Sequence, residues 1–321
     1  MLNQHVMARP KKALSKKLQA ISTMCAISCE MHMPLSGYAF EKYFEPENFK
    51  ESKRTGKTYR SDKYDRFIKN GVSPTGKSLS RIKEKCPHAY QHYCSPFWLA
   101  IEEKQRTQNQ WQEFYLQLDE SVKSLVFEFL WHGKILDGRV KQENMPLIKL
   151  IRIGNDHAIA ALIGLLLQQC NQDACAFEYI ETQLYNVIFN FLSYFFPYNI
   201  QLTIYAYLYN QILNKPQERI RESPWPDNLE DVAYMLQIEN KNLLLAEDLG
   251  LVWSCEQGRE FYFWKMMGDR REIVKEMSLA HRHGQWKLTD HPKGLKWLIK
   301  KLNTTRPKSE KLSTEYVYRY G

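Results

Sequence analysis

No stretch of this 321-residue chain is both apolar enough and long enough to suggest a bilayer span. The nearest is Thr182 to Asn214, which carries no charge. Pro197 interrupts it, and Asn, Gln, Tyr and Thr fill it, whereas a span needs roughly 20 consecutive, mostly apolar residues. It reads instead as a buried helical hairpin broken at Pro197. A disulfide framework is also missing. The seven cysteines (Cys25, Cys29, Cys86, Cys94, Cys170, Cys175 and Cys255) are odd in number and scattered, and the basic N-terminus has no apolar signal run. These absences point to a reducing cytoplasm. There is no glycine-rich dinucleotide fingerprint, no serine or cysteine triad pattern, no paired-carboxylate motif and no tandem repeat. Neither a catalytic residue nor a cofactor is expected.

What is present is a globular composition with segregated charge. Hydrophobic residues make up 44% and aromatics 13%, enough to build two or three cores at this length. Residues 1–100 hold 18 Lys/Arg against 8 Asp/Glu, 101–264 hold 13 against 22, and 265–321 hold 14 against 6. Two basic ends therefore flank an acidic middle. Segregated basicity suggests surfaces that face a polyanion; the alternative is that the ends are merely solvated or dock on the middle.

Along the chain, a basic arm leads into a helix near Ala13 that carries Leu14, Leu18, Ile21 and Met24 or Cys25 at helical spacing. A turn and short helix follow over "PLSGYAFEKYF" (34–44), then a basic, turn-rich insert over 50–63. From Pro96, Trp111, Tyr115, Leu118, Val122 and Leu125 mark one long helical tract to about Trp131. "NDHAIAALIGLLLQQCNQ" (155–172) has a cap at Asn155 or Asp156. The Pro-rich, polar stretch 215–228 reads as a linker. The expected organisation is a basic domain over 1–96, an acidic all-helical domain over 97–214, the linker, and a small basic α+β unit over 229–321. The fold class is mainly α.

The segment Gly71 to Ser78, "GVSPTGKS", matches the phosphate-loop pattern G-x-x-x-x-G-K-[ST]. Such a loop must leave a buried strand and open a helix. Here "DKYDRFIKN" (62–70) precedes it, with five charges in nine residues, which no buried parallel strand shows. The local reading is an amphipathic helix with Tyr64, Phe67 and Ile68 on one face, stopped by Gly71 as C′ glycine. A turn at Pro74 follows, then a helix over 78–85 with Leu79 and Ile82 inward. This helix, turn and helix resemble the second half of a Cro/Xre-type helix-turn-helix repressor. The matching positions are Tyr64, Phe67 or Ile68, Gly71, Pro74, Leu79 and Ile82, within about 25 residues. The resemblance implies that Arg66 lies on a recognition helix and that duplex DNA is the partner.

Farther on, "EDVAYMLQ" and "NKNLLLAEDLG" read as two helices and "LVWSCEQGREFYFW" (251–264) as a β-hairpin turning at Gly258. With "QWKLTDHPKGLKWLIKKL" (285–302), this stretch resembles a winged helix-turn-helix whose hairpin is the wing. The insert "KMMGDRREIVKEMSLAHR" departs from that pattern.

Two constellations have chemical potential. Cys86, His88, His92 and Cys94 are all zinc-ligand types, but their spacing is purely local, and no metal is expected. Arg152 and His157 fit the Arg-x4-His signature of HEPN-type ribonucleases, which they resemble; Ile153 and Gly154 depart from it, and capping by Asn155 or Asp156 is the competing reading. The strongest feature is the basic clusters. Lys50, Lys53, Arg54, Lys57, Arg60, Lys63, Arg66, Lys69 and Lys77 form the first, interleaved with tyrosines; Arg270, Arg271, Arg282, Lys287, Lys293 and Lys296, extended by Lys300 and Lys301, form the second. Such clusters neutralise phosphates. The expected function is a nucleic-acid-binding protein without catalytic activity, acting in transcription regulation or in a mobile-element or defence complex. Its helical middle would bind a protein partner or a second copy. A HEPN-like ribonuclease and a protein-interaction adaptor are the alternatives.

Overall fold

The computed structural model describes residues 13–51, 58–103, 105–132, 145–169, 174–213 and 224–248. The expected winged unit beyond 248 lies outside them. The chain divides into two compact units, Met1–Cys94 with Glu102–Lys104, and Ser95–Ile101 with Gln105–Gly321. Among the described residues both are built almost wholly of helices, and no helix is long and apolar enough to cross a membrane.

In the first unit, α1 (Leu14–Glu30) packs against α3 (Lys63–Asn70) and α5 (Pro87–Cys94). Between them, α2 (Gly37–Phe44) packs on α3 and on α4 (Gly76–Lys85). Apolar positions explain the arrangement. Met24, Ile27, Phe40, Phe44, Tyr64, Phe67, Ile82, Cys86 and Ala89 form one buried cluster. Each large side chain there stabilises the fold by roughly 1.5–3 kcal/mol. Tyr64 stacks on Phe44 with ring centroids 5.7 Å apart. Leu18 and Met24 of α1 are buried as the spacing predicts, Ile21 is half-buried, and Leu14 is exposed.

The insert expected to be turn-rich contains a short antiparallel ladder. Strand β1 (Lys50–Glu51) pairs with β2 (Thr58–Tyr59), in the register Lys50 opposite Tyr59 and Glu51 opposite Thr58. Helix α3 ends where expected. Gly71 takes φ +61°, and its N–H and that of Val72 both return to the Arg66 carbonyl. The chain passes so close to α1 that a Cβ on Gly71 would lie 2.6–2.9 Å from Lys17 atoms, backbone included. Only glycine meets both conditions.

The second unit opens with α6 (Pro96–Ala100), capped by the Ser95 hydroxyl, followed by α7 (Gln108–Tyr115) and α8 (Glu120–His132). The single tract expected from Pro96 to Trp131 is therefore three helices. Thr107 and Gln110 form a reciprocal capping box that starts α7 afresh;. Then come α9 (Met145–Ile153), α10 (Asp156–Gln169), α11 (Ala174–Phe195), α12 (Gln201–Leu208) with a π-helical turn at Tyr209–Leu213, and α13 (Leu229–Asp248). Residues Ala158 to Leu166 of α10 are all buried, as expected of a helix apolar on every side. It packs on α6, α9 and α11. The hairpin expected over 176–214 is α11 and α12, turning at Pro197.

Two expectations about the C-terminal side change. Residues 230–248, read as part of two helices, belong to one continuous helix, α13, which packs on α11 and α12. Trp225, assigned to a polar linker, is buried, and its Nε1 donates to Glu181 at 2.7 Å. Tyr205 donates to the Pro226 carbonyl at 2.9 Å. Gln201 and Asn240 exchange amide hydrogen bonds of 2.8 and 3.3 Å in the interior.

Candidate nucleic-acid interface

Glu41 on helix α2 and Glu45, the residue that ends it, stand one turn apart, each one residue beyond a core phenylalanine, Phe40 or Phe44. Both carboxylates are thereby drawn inside, where an isolated charge is untenable and must be paired. The partners come from the expected basic cluster. Arg60 reaches Glu41 at 3.1 Å, Asp62 at 3.1 Å, and also Asp65. Ser61 donates to Glu41 through its N–H at 3.0 Å and through its hydroxyl. Lys63 pairs with Glu45, which also accepts from Asn48, from the Tyr64 hydroxyl and from the Ser78 hydroxyl. Arg81 lies 3.5 Å from Glu45, pairs with Glu47 and donates to the Phe44 carbonyl.

The electrostatics follow from this geometry. Burial pushes the Glu45 carboxyl up, but Lys63, Asn48 and Arg81 together outweigh it and hold it below its ordinary range. Burial and the Glu45 charge push the Tyr64 phenol up. Arg60 and Lys63, expected to face a polyanion, are thus engaged inside the unit. They join the hairpin base and α3 to α2. Glu41, Glu45 and Arg81 did not emerge from sequence reasoning. The available signal was the i, i+4 repeat of Phe-Glu in "FEKYFE".

The other candidates are distributed as follows. Arg66 is exposed on α3 and makes no ion pair among the described residues; Lys69 is 73% exposed and lies 3.5 Å from Asp65, an i, i+4 pair. Lys50 is exposed on β1, and Lys77 is exposed at the start of α4, near Glu47. Lys53, Arg54 and Lys57 lie outside the described residues, as do Arg270, Arg271, Arg282, Lys287, Lys293, Lys296, Lys300 and Lys301. Of the 18 cations in 1–100, six fall outside the described segments, whereas all eight acids fall within them.

The segment "GVSPTGKS" has a helix before it, α3, and not a strand. Its Ser78 hydroxyl, the metal-ligand position in a phosphate loop, donates to buried Glu45 at 3.2 Å. The four local zinc-type residues are not brought together. Cys86 is buried in the core, with its thiol pushed up to about 12 by burial. His88 and Cys94 are exposed. His92 is buried, and its Nε2 lies 2.7 Å from the Ser22 hydroxyl. Burial lowers its pKa to about 3, so the imidazole is neutral. Neither member of this serine–histidine pair is open to a substrate. Among the described residues no group of three or more His, Cys, Asp or Glu could hold a metal ion.

Arg152 and His157 stand on separate helices, α9 and α10, divided by Gly154 at φ +61°. Asn155 caps α10 by accepting from the Ala158 N–H at 2.9 Å. His157 Nδ1 accepts from the Asp119 N–H at 3.0 Å, just ahead of α8. These contacts give Asn155 and His157 structural work within the helical unit.

Comparison with known proteins returned no significant match to a protein-family model, a curated protein or a solved structure.

Proposed function

We propose that the chain is a nucleic-acid-binding protein, of a regulatory or complex-forming kind, whose N-terminal unit grips duplex DNA. The observation that supports this reading is the division of labour on α3. Its first turn and the residues before it are locked to α2 through Arg60 and Lys63, while Arg66 and Lys69 point outward from a helix followed by a short turn and a second helix. In this reading Arg66, exposed on α3, reaches a base edge. Lys50, Lys69 and Lys77 supply phosphate contacts, which position the protein without specifying sequence. The helical second unit would then serve assembly with a partner or a second copy.

The test is fluorescence anisotropy of the full chain on labelled duplexes over a range of salt concentrations. Each phosphate neutralised contributes about −0.9 to the slope of log affinity against log salt. Arg66→Ala should narrow the gap between preferred and random sequence by about 1–3 kcal/mol. Salt-independent binding would overturn the reading.

A further inference from the structure

We infer that Lys17 of α1, outside both sequence clusters, is a phosphate-binding residue of the interface, and that the DNA backbone runs along the edge where α1 meets the C-terminal end of α3. This rests on the reading proposed above and adds to it the location and an unassigned residue.

The geometry starts from Gly71. The close approach of α1 at this glycine, with a Cβ there 2.6 Å from Lys17 Cβ and 2.7 Å from Lys17 Cα, fixes Lys17 beside the end of α3. Lys17 is exposed and makes no ion pair among the described residues. On the same helix, Lys16 differs: it pairs with Glu102 at 2.6 Å. Arg66 and Lys69 occupy the exposed side of the last turns of α3. Two acids stand on the same helix start: Asp65, 23% exposed and shared between Lys69 and Arg60, and Asp62, 67% exposed, one turn before Arg66 and paired with Arg60 at 3.1 Å. Lys17, Arg66 and Lys69 therefore stand against two carboxylates, Asp62 and Asp65, both already paired with Arg60.

The polarity of α3 makes these side chains decisive. A helix C-terminus carries a partial negative charge of about half an electron, which repels phosphate. The carbonyl of Arg66 is capped by the Gly71 and Val72 N–H groups. An anionic backbone is held here only if side-chain cations outweigh the helix end. A duplex presents one charge per roughly 1.7 Å of axis, so a short cationic edge can meet several phosphates at once.

The experiment compares wild type, Lys17→Glu, Lys17→Gln and Lys83→Glu on one labelled duplex as salt is varied, with thermal unfolding as the fold control. Lys83, exposed on α4, gives the same charge reversal away from α3. Lys17→Glu should weaken binding about tenfold or more and flatten the salt slope by about 0.9, while Lys83→Glu changes affinity less than threefold. If Lys17→Glu does not fold, Lys17→Gln, which keeps the stem against Gly71, carries the test with the same change of slope. Wild-type binding with an unchanged slope in the folded Lys17 variant overturns the inference and leaves the proposed function standing. Equal losses from Lys17→Glu and Lys83→Glu also overturn it, because they report net charge alone. Absence of wild-type binding overturns both.

Discussion

The Arg60 guanidinium lies 3.1 Å from the fully buried carboxylate of Glu41, 19 positions earlier in the chain. A residue that looks from sequence like part of a DNA-facing patch is therefore an internal clamp. Arg60→Ala should act first on stability. Removing one partner of a buried pair costs about 3 kcal/mol, and the loss should appear in denaturant unfolding. Arg66→Ala, on the exposed face, should change stability by less than about 0.5 kcal/mol. If Arg60→Ala leaves stability intact and only weakens binding, the clamp is not what holds the hairpin base.

His92 supplies a pH dependence. Burial lowers its folded pKa from 6.5 to about 3, so the unfolded chain binds the proton more readily. The stability it permits is complete above pH 6.5 and is lost as pH falls towards the folded value. The slope is about 1.4 kcal/mol per pH unit, or roughly 2 kcal/mol between pH 6.5 and 5. Glu45 acts lower: its pKa is held below 4.5, so its contribution fades only as pH drops through that region. Unfolding curves between pH 5 and 7 should be steep for wild type and flat for His92→Gln. Parallel curves would show that His92 is not the responsible group.

Gly71 and Gly76 offer a matched comparison. Both have positive φ, +61° and +51°, yet a Cβ on Gly71 meets α1 whereas one on Gly76 meets nothing within 4 Å. Gly76→Ala should cost only the left-handed conformation, about 1 kcal/mol. Gly71→Ala adds a collision with the backbone at Lys17 and should cost at least about 2 kcal/mol. Calorimetric unfolding of the two variants measures the difference directly. Equal costs would remove the argument that α1 and the end of α3 touch so closely.

The two short helices over 63–70 and 76–85 were legible in the sequence because their determinants are local. Tyr64, Phe67 and Ile82 carry the apolar spacing, and Gly71 marks the stop. The ion-pair network was not legible. Charged residues in a turn-rich insert look solvated, and nothing local says that Glu41 and Glu45 go inside. The break between α7 and α8 was missed for a different reason. Trp111, Tyr115, Leu118, Val122 and Leu125 keep helical spacing straight through 116–119, where α7 ends and α8 begins, so periodicity conceals the interruption. Trp225 looked like linker because its neighbours are Pro, Asp and Asn, while its partner, Glu181, lies 44 residues away. The candidate interface was legible as a cluster of cations, but the structure separates its internal members from its outward ones.

The reciprocal amide pair of Gln201 and Asn240 acts as an address within the helical unit. Gln201 Nε2 also donates to the carbonyls of Ser193 and Phe196, and Asn240 Nδ2 to that of Leu236. A slide of α13 by one turn, about 5.4 Å, would keep apolar side chains against α11 and α12 but part these two amides in a dry interior. Leucines alone would accept several such registers. The amides accept one, so α13 has a single seat, and a substitution of both by leucine would loosen its position before it lowered its stability.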